Sequence, residues 1–193
     1  MTTRFDVYAV GNALVDLEYR VDDTFLQSQN IEKGVMTLAE ADMQARLLSA
    51  LDNQHTREKQ ASGGSAANSI IAASAFGSRC FYSCKVASDS LGDFYRKDLI
   101  AAGVSTNLQE QRPEGVSGTC VVMVTPDSER TMNTYLGITA DVSVSELDLD
   151  ALRASRWLYI EGYLSTSESA RAAVALARTE ARAAGVKLAL TFS

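Results

Sequence analysis

One histidine and three cysteines are all the imidazole and thiol groups that this 193-residue chain holds. An odd cysteine count gives no disulfide framework and points to a reducing, cytoplasmic setting. Cys80 and Cys84, four apart in an expected strand, share a face and read as small buried hydrophobes rather than half of a metal site. His55 lies in a polar stretch and reads as solvated. Basic residues are also short. The 18 Lys and Arg against 24 Asp and Glu leave a net charge of −6, which argues against sequence-independent nucleic-acid binding. No apolar run approaches the ~20 residues of a membrane span. The start of the chain lacks the basic flank and apolar core of a signal peptide. Neither the Gly-Lys-Ser/Thr ending of a phosphate loop nor the G-x-G-x-x-G dinucleotide fingerprint occurs.

What is present is an ordinary hydrophobic fraction of 46%, enough for one domain with a real core. Apolar runs at Phe5–Val10, Arg79–Val86, Trp157–Ile160 and Lys187–Phe192 read as buried strands. Between them fall helical stretches. One starts at a Thr37-Leu38-Ala39-Glu40 capping box and ends near Asp52, and another starts at Ser90 and stops at Gly103. A short one is capped by Ser145, and an alanine-rich one opens at Ser165-Thr166-Ser167-Glu168 and stops at Gly185. Strands alternating with helices predict an α/β fold, a mostly parallel sheet with helices on both faces. Residues 53–61 read as a polar connector. Two segments break the rhythm. Val15, Leu17, Tyr19 and Val21 alternate with Asp16, Glu18, Arg20 and Asp22. Gly118–Thr125 and Arg130–Leu136 form a hairpin around a type I turn at Pro126. Both are expected to extend the main sheet in antiparallel fashion.

The stretch with most chemical content is Ser62-Gly63-Gly64-Ser65-Ala66-Ala67-Asn68. Two adjacent glycines permit positive φ and a close approach to the backbone. Ser65 is placed to cap a helix from Ala66 to about Gly77. A helix start behind a bare turn offers free N–H groups to a polar ligand, with Asn68 one turn inside. The alternative is a tight turn feeding a buried helix. Asn12 and Asp16 point the same way in an extended chain, and the alternative for Asp16 is a solvated strand face. In such sheets ligands gather beyond the carboxyl ends of the strands, where Asn12, the glycine turn and Glu161 are all expected.

Gly11-Asn12-Ala13-Leu14-Val15-Asp16, Gly63-Gly64-Ser65-Ala66-Ala67-Asn68 with Gly77, and Asp89-Ser90-Leu91-Gly92 together resemble the pfkB-type kinases, the ribokinase and adenosine kinase family. The segments 126–137 and 159–163 look most like members acting on adenosine or sugars. Ile70 and Ala87 depart from the pattern, where a small residue and a glycine are usual. The resemblance implies a ribokinase-like fold over residues 1–193 with a small antiparallel β lid drawn from about 13–36 and 116–137. It implies that Asn12 and Asp16 hold sugar hydroxyls, that Gly63, Gly64 and Ser65 line the approach, and that Asn68 and Glu161 add contacts. Tyr135 and Tyr163 are candidates to face a base, with core packing the alternative for each. The implied reaction is ATP- and Mg2+-dependent phosphorylation of a nucleoside or sugar hydroxyl, adenosine slightly favoured. The family's catalytic aspartate and nucleotide site lie in a Gly-Ala-Gly-Asp segment, and no such run occurs here. The chain alone is therefore expected to bind the acceptor and to be inactive. A homodimer through the lid or the sheet edge, or a complementing fragment, is the association such an edge invites. The competing reading is a non-catalytic binder of small polyols or nucleosides. A dinucleotide-dependent oxidoreductase lacks its fingerprint.

Overall fold

A computed structural model describes residues 3–192. In chain order the elements are β1 (Phe5–Val10), β2 (Leu14–Arg20), α1 (Asp23–Ser28), β3 (Met36–Leu38), α2 (Ala41–Gln54), β4 (Arg57–Gly63), α3 (Ser65–Ala75), β5 (Cys80–Ser83), α4 (Ser90–Ala101), β6 (Ser105–Thr106), β7 (Gly118–Val124), β8 (Arg130–Tyr135), α5 (Leu149–Arg153), β9 (Ser155–Glu161), α6 (Glu168–Ala183) and β10 (Lys187–Thr191). They build two five-stranded sheets.

The main sheet runs β10-β9-β1-β5-β6 and is parallel throughout. β1 lies at its centre, and its apolar run follows from burial on both faces. On one face Ala9, Cys80 and Tyr82 join a core with Ala66, Ala67 and Ile70 of α3 and Tyr95 and Leu99 of α4. On the other, Tyr8, Val10, Leu158 and Ile160 pack with α5 and α6. The stripe Ala170, Ala173, Ala177 and Ala181 is fully or almost fully buried, so small side chains let α6 lie close on the sheet. Ala177→Leu is therefore expected to lower stability by about 1–3 kcal/mol, the usual cost of overfilling a packed interior. Urea unfolding of the variant checks it.

The second sheet, β3-β8-β7-β2-β4, corrects the expectation of an antiparallel extension. It is a separate layer, and it is mixed. β2 runs parallel to β7 and β3 to β8, while β4 is antiparallel to β2 and β8 to β7. β4 lies in the stretch read as a connector. Its Arg57, Glu58 and Lys59 are exposed at a sheet edge, where charge guards unpaired backbone and no apolar period is needed. The capping box at Thr37 does not form. Thr37 is paired with Asn133, the Ala39 N–H donates to Thr134 O at 2.8 Å, and α2 begins only at Ala41. Ser143 caps a short turn and Asp148 caps α5, the role expected of Ser145. Ser167 rather than Ser165 caps α6. The strand expected over 79–86 pairs only across Cys80–Ser83.

The three cysteines are free and buried. His55 closes α2 and meets Phe25 edge-on, ring centroids 4.8 Å apart. No helix among the described residues is long and apolar enough to cross a membrane.

Candidate functional site

Four segments meet where the carboxyl ends of β1 and β9 approach the second sheet. Gly11 and Asn12 leave β1. Gly63 and Gly64 join β4 to α3. Asp16 projects from β2, and Glu161 ends β9. The contact between turn and strand is direct: Leu14 pairs with Gly63 and Asp16 with Ala61. A Cβ on Gly63 would overlap the Asp16 carboxylate, so the carboxylate lies across bare backbone. Gly64 has φ +100°, and a Cβ there would run into the carbonyl oxygen of Asn12. The turn and the end of β1 therefore touch backbone to backbone, an approach open only to glycine.

This arrangement is held from behind. The buried Tyr82 hydroxyl donates to Asn12 O at 2.9 Å, and the buried Tyr95 hydroxyl donates to Gly63 O at 3.0 Å. Ser62 N–H donates to Asp98 Oδ2 at 3.0 Å. Ala13 N–H donates to Thr139 Oγ1 at 2.8 Å. Asp89, of the Asp-x-x-Gly motif, caps α4 through the Gly92 N–H and accepts from Ser117 N and Oγ just before β7.

The two carboxylates differ. Asp16 is half-buried, and its carboxylate makes no hydrogen bond among the described residues. Burial pushes it up to about 6, opposed by the charges of Arg130 and Lys59 and reinforced by Glu18. It is an ionisable acceptor with its lone pairs free. Glu161 is 2% exposed. Its Oε2 accepts the Asn12 N–H at 3.0 Å. Burial pushes it up to about 7, opposed by the N–H groups of Asn12 and Ala66 and by the Ser65 side chain. The further sugar contact expected of it finds a carboxylate directed into the scaffold.

The other expected residues fall on both sides of this division. Asn12 is 6% exposed, and its backbone is engaged at both ends. Ser65 does not cap the helix; Gly64 holds the cap position, with no side-chain bond. Ser65 Oγ lies close enough to Glu161 to lower its pKa, yet has no partner at hydrogen-bonding geometry. Asn68 is exposed on the first turn of α3, its N–H bonded to Gly64 O at 2.9 Å. Tyr135 lies in the row of Thr119 and Val15, the opposite face of the sheet from Asp16. Tyr163 is 43% exposed beyond β9.

Pattern reading missed a row across the second sheet. Ala61, Asp16, Cys120, Thr134 and Leu38 stand side by side on β4, β2, β7, β8 and β3. Thr134 Oγ1 donates to Cys120 Sγ at 3.4 Å, which places both side chains on one face. The neighbouring row on that face carries Val122, Met132 and Met36. The buried Cys120, Thr134 and Val122 thus lie between the Asp16 carboxylate and exposed Leu38 and Met36 on the outer strand. Only knowledge of which strands pair reveals this row.

Comparison with known proteins bears on the family and the fold. The pattern of the pfkB family carbohydrate kinases matches residues 33–192. Adenosine kinase 2 of Arabidopsis thaliana is 28% identical over 166 residues, 81% of this chain and 46% of that protein. The crystal structure of adenosine kinase from Sinorhizobium meliloti superposes with a TM-score of 0.86 at 37% identity, covering 98% of this chain and 57% of that one. A probable sugar kinase from Rhizobium etli gives 0.85 and 33%, covering 98% and 56%. The chain thus spans about half the length of the relatives it matches. Its α/β fold, with a mostly parallel main sheet and a second mixed sheet, is theirs. The chain belongs to the pfkB family of carbohydrate kinases.

Proposed function

We propose that this chain provides the acceptor-holding half of a nucleoside kinase, with the second sheet as its lid, and that adenosine is the acceptor. The observation that carries the proposal is the Asp16 carboxylate lying across the bare Gly63 backbone, with the row of Cys120, Thr134 and Leu38 continuing from it. An ionised carboxylate with free lone pairs accepts two hydroxyl hydrogen bonds from a ribose and orients the ring. The glycine turn lets the ring lie against the backbone. The exposed Asn68 amide is one helical turn away. A base attached to that ribose would extend along the row towards Leu38 and Met36 and cover their exposed surface, which a free sugar would leave wet. Closure of the second sheet over the guest would exclude the water that competes for a phosphoryl group.

ATP with Mg2+ would supply the phosphoryl group in the complete enzyme. The described residues hold no cluster of three or more His, Cys, Asp or Glu side chains able to bind a metal ion. The ion is therefore assigned to no residue named here, and no step of the proposal runs through it. Acting by itself, the chain is a binder of the acceptor.

Calorimetry of the chain with adenosine, ribose and fructose tests the assignment. Covering the exposed Leu38 and Met36 side chains at ~25 cal/mol per Å² favours adenosine over ribose by about tenfold once ordering costs are deducted. Equal or tighter binding of ribose or fructose would move the reading to a sugar kinase. Silence with all three ligands would remove the site.

A further inference from the structure

We propose that Glu161 is a positioning residue of the acceptor site: its carboxylate faces the start of α3 from a neighbouring strand and fixes the Asn12 backbone against the Gly63–Gly64 turn, without touching the guest. The inference rests on the reading that Asp16 and the glycine turn hold that guest.

Helix α3 starts without a cap of its own. Gly64, at the cap position, has no side chain, and the Ser65 hydroxyl is buried without an aligned partner. The first N–H groups of a helix need acceptors, and negative charge is favoured there. Glu161 brings negative charge there from the end of β9. Its Oε2 takes the Asn12 N–H at 3.0 Å, and the carboxylate lies beside the start of α3, where a Cβ on Gly11 would touch both it and the Ala66 methyl. One carboxylate therefore joins the ends of β1 and β9 to the start of α3. Gly11 is bare for the same reason. A Cβ there would overlap the Glu161 carboxylate and the Ala66 methyl, and would press on the Tyr82 hydroxyl.

The same placement argues against a direct contact. At 2% exposure, with its donors drawn from backbone, the carboxylate has no surface to offer a hydroxyl. The titratable groups facing it are Tyr82 of β5 and Tyr95 of α4. Burial raises both well above 10, so they stay neutral, and no basic side chain acts on Glu161.

The test compares the wild-type chain with Glu161→Leu and Glu161→Gln, after circular dichroism and cooperative unfolding establish the fold of each. Calorimetry with adenosine, 2′-deoxyadenosine and 3′-deoxyadenosine reads the guest side. Glu161→Leu is expected to weaken all three by one common factor of at least about tenfold, the scale of a lost bond to a charged group. Glu161→Gln, which keeps an acceptor oxygen, recovers part of the loss. A penalty that vanishes for one deoxy analogue would mean that Glu161 bonds the missing hydroxyl, and would overturn the proposal.

Amide spectra read the scaffold with no guest present. In the wild type the Asn12 and Ala66 N–H resonances should shift with a midpoint near pH 7, where burial places the carboxyl. In Glu161→Gln they should stay flat. Flat wild-type profiles overturn the proposal whether or not Glu161→Leu folds. If those amides titrate while no nucleoside binds the wild type, the acceptor-site reading fails and the positioning of the Asn12 backbone by Glu161 stands.

Discussion

Asp16→Asn is expected to weaken adenosine binding by roughly 10- to 150-fold at pH 8, which corresponds to about 1.5–3 kcal/mol for hydrogen bonds to a charged group. The amide is nearly isosteric, so the approach to Gly63 survives and the charge alone is removed. The same substitution is expected to raise the stability of the unliganded chain at that pH. Burial lifts the Asp16 carboxyl from 3.8 to about 6. Its ionised form is therefore disfavoured in the folded state, and folding loses stability as pH rises from near 4 through 6. Opposite signs for affinity and stability separate a binding role from simple misfolding. The wild-type affinity should also fall as pH drops below about 6, where the carboxyl gains a proton and one acceptor oxygen becomes a donor. Calorimetry at pH 5 and 8, paired with thermal melts, reads all three effects. An affinity untouched by the substitution would take Asp16 out of the site.

Gly64→Ala should be among the more damaging small substitutions of the described residues. Two penalties combine. The residue holds φ +100° and ψ 137°, a region that a side chain rarely enters. The added Cβ would also meet the Asn12 carbonyl, which cannot retreat: it accepts from Tyr82, and the Asn12 N–H is bound to Glu161. A loss of about 3–5 kcal/mol follows from strain plus backbone overlap. Gly77→Ala is the control. Its φ is +92°, but no atom lies within 4 Å of the added carbon, so only the conformational penalty of about 1–3 kcal/mol applies. Urea midpoints of the two variants measure the difference. Equal midpoints would show that the turn and the end of β1 are not in contact.

These two positions also show what could be read from residues alone. The double glycine announces a turn with a close approach, and the alternation around Asp16 announces a strand. Their meeting depends on Leu14 pairing with Gly63, a long-range choice that no local pattern encodes. The main sheet was legible because apolar runs are what two-sided burial demands. β4 was not, because an edge strand satisfies its backbone while its side chains stay polar. Thr37 looked like a cap because a hydroxyl three residues before a glutamate fits a helix start. Pairing with β8 claimed that backbone first. Glu161 was legible as a residue at a strand end, whereas its bond to Asn12 spans 149 positions.

The chain passes between its two layers at residues 11–13, 63–64, 117–118 and 136–137. These passages press on one another. A Cβ on Gly64 would strike Asn12 O, one on Gly118 would strike Leu136 O and Ala13 O, and one on Gly137 would strike Val116 O. The two layers thus touch through bare backbone at these crossings while sharing one apolar interior, which runs from Ala9 and Tyr82 of the main sheet to Leu17 and Val121 of the second. A bulkier residue at any one crossing would therefore push on the others, so these glycines act as a single mechanical unit.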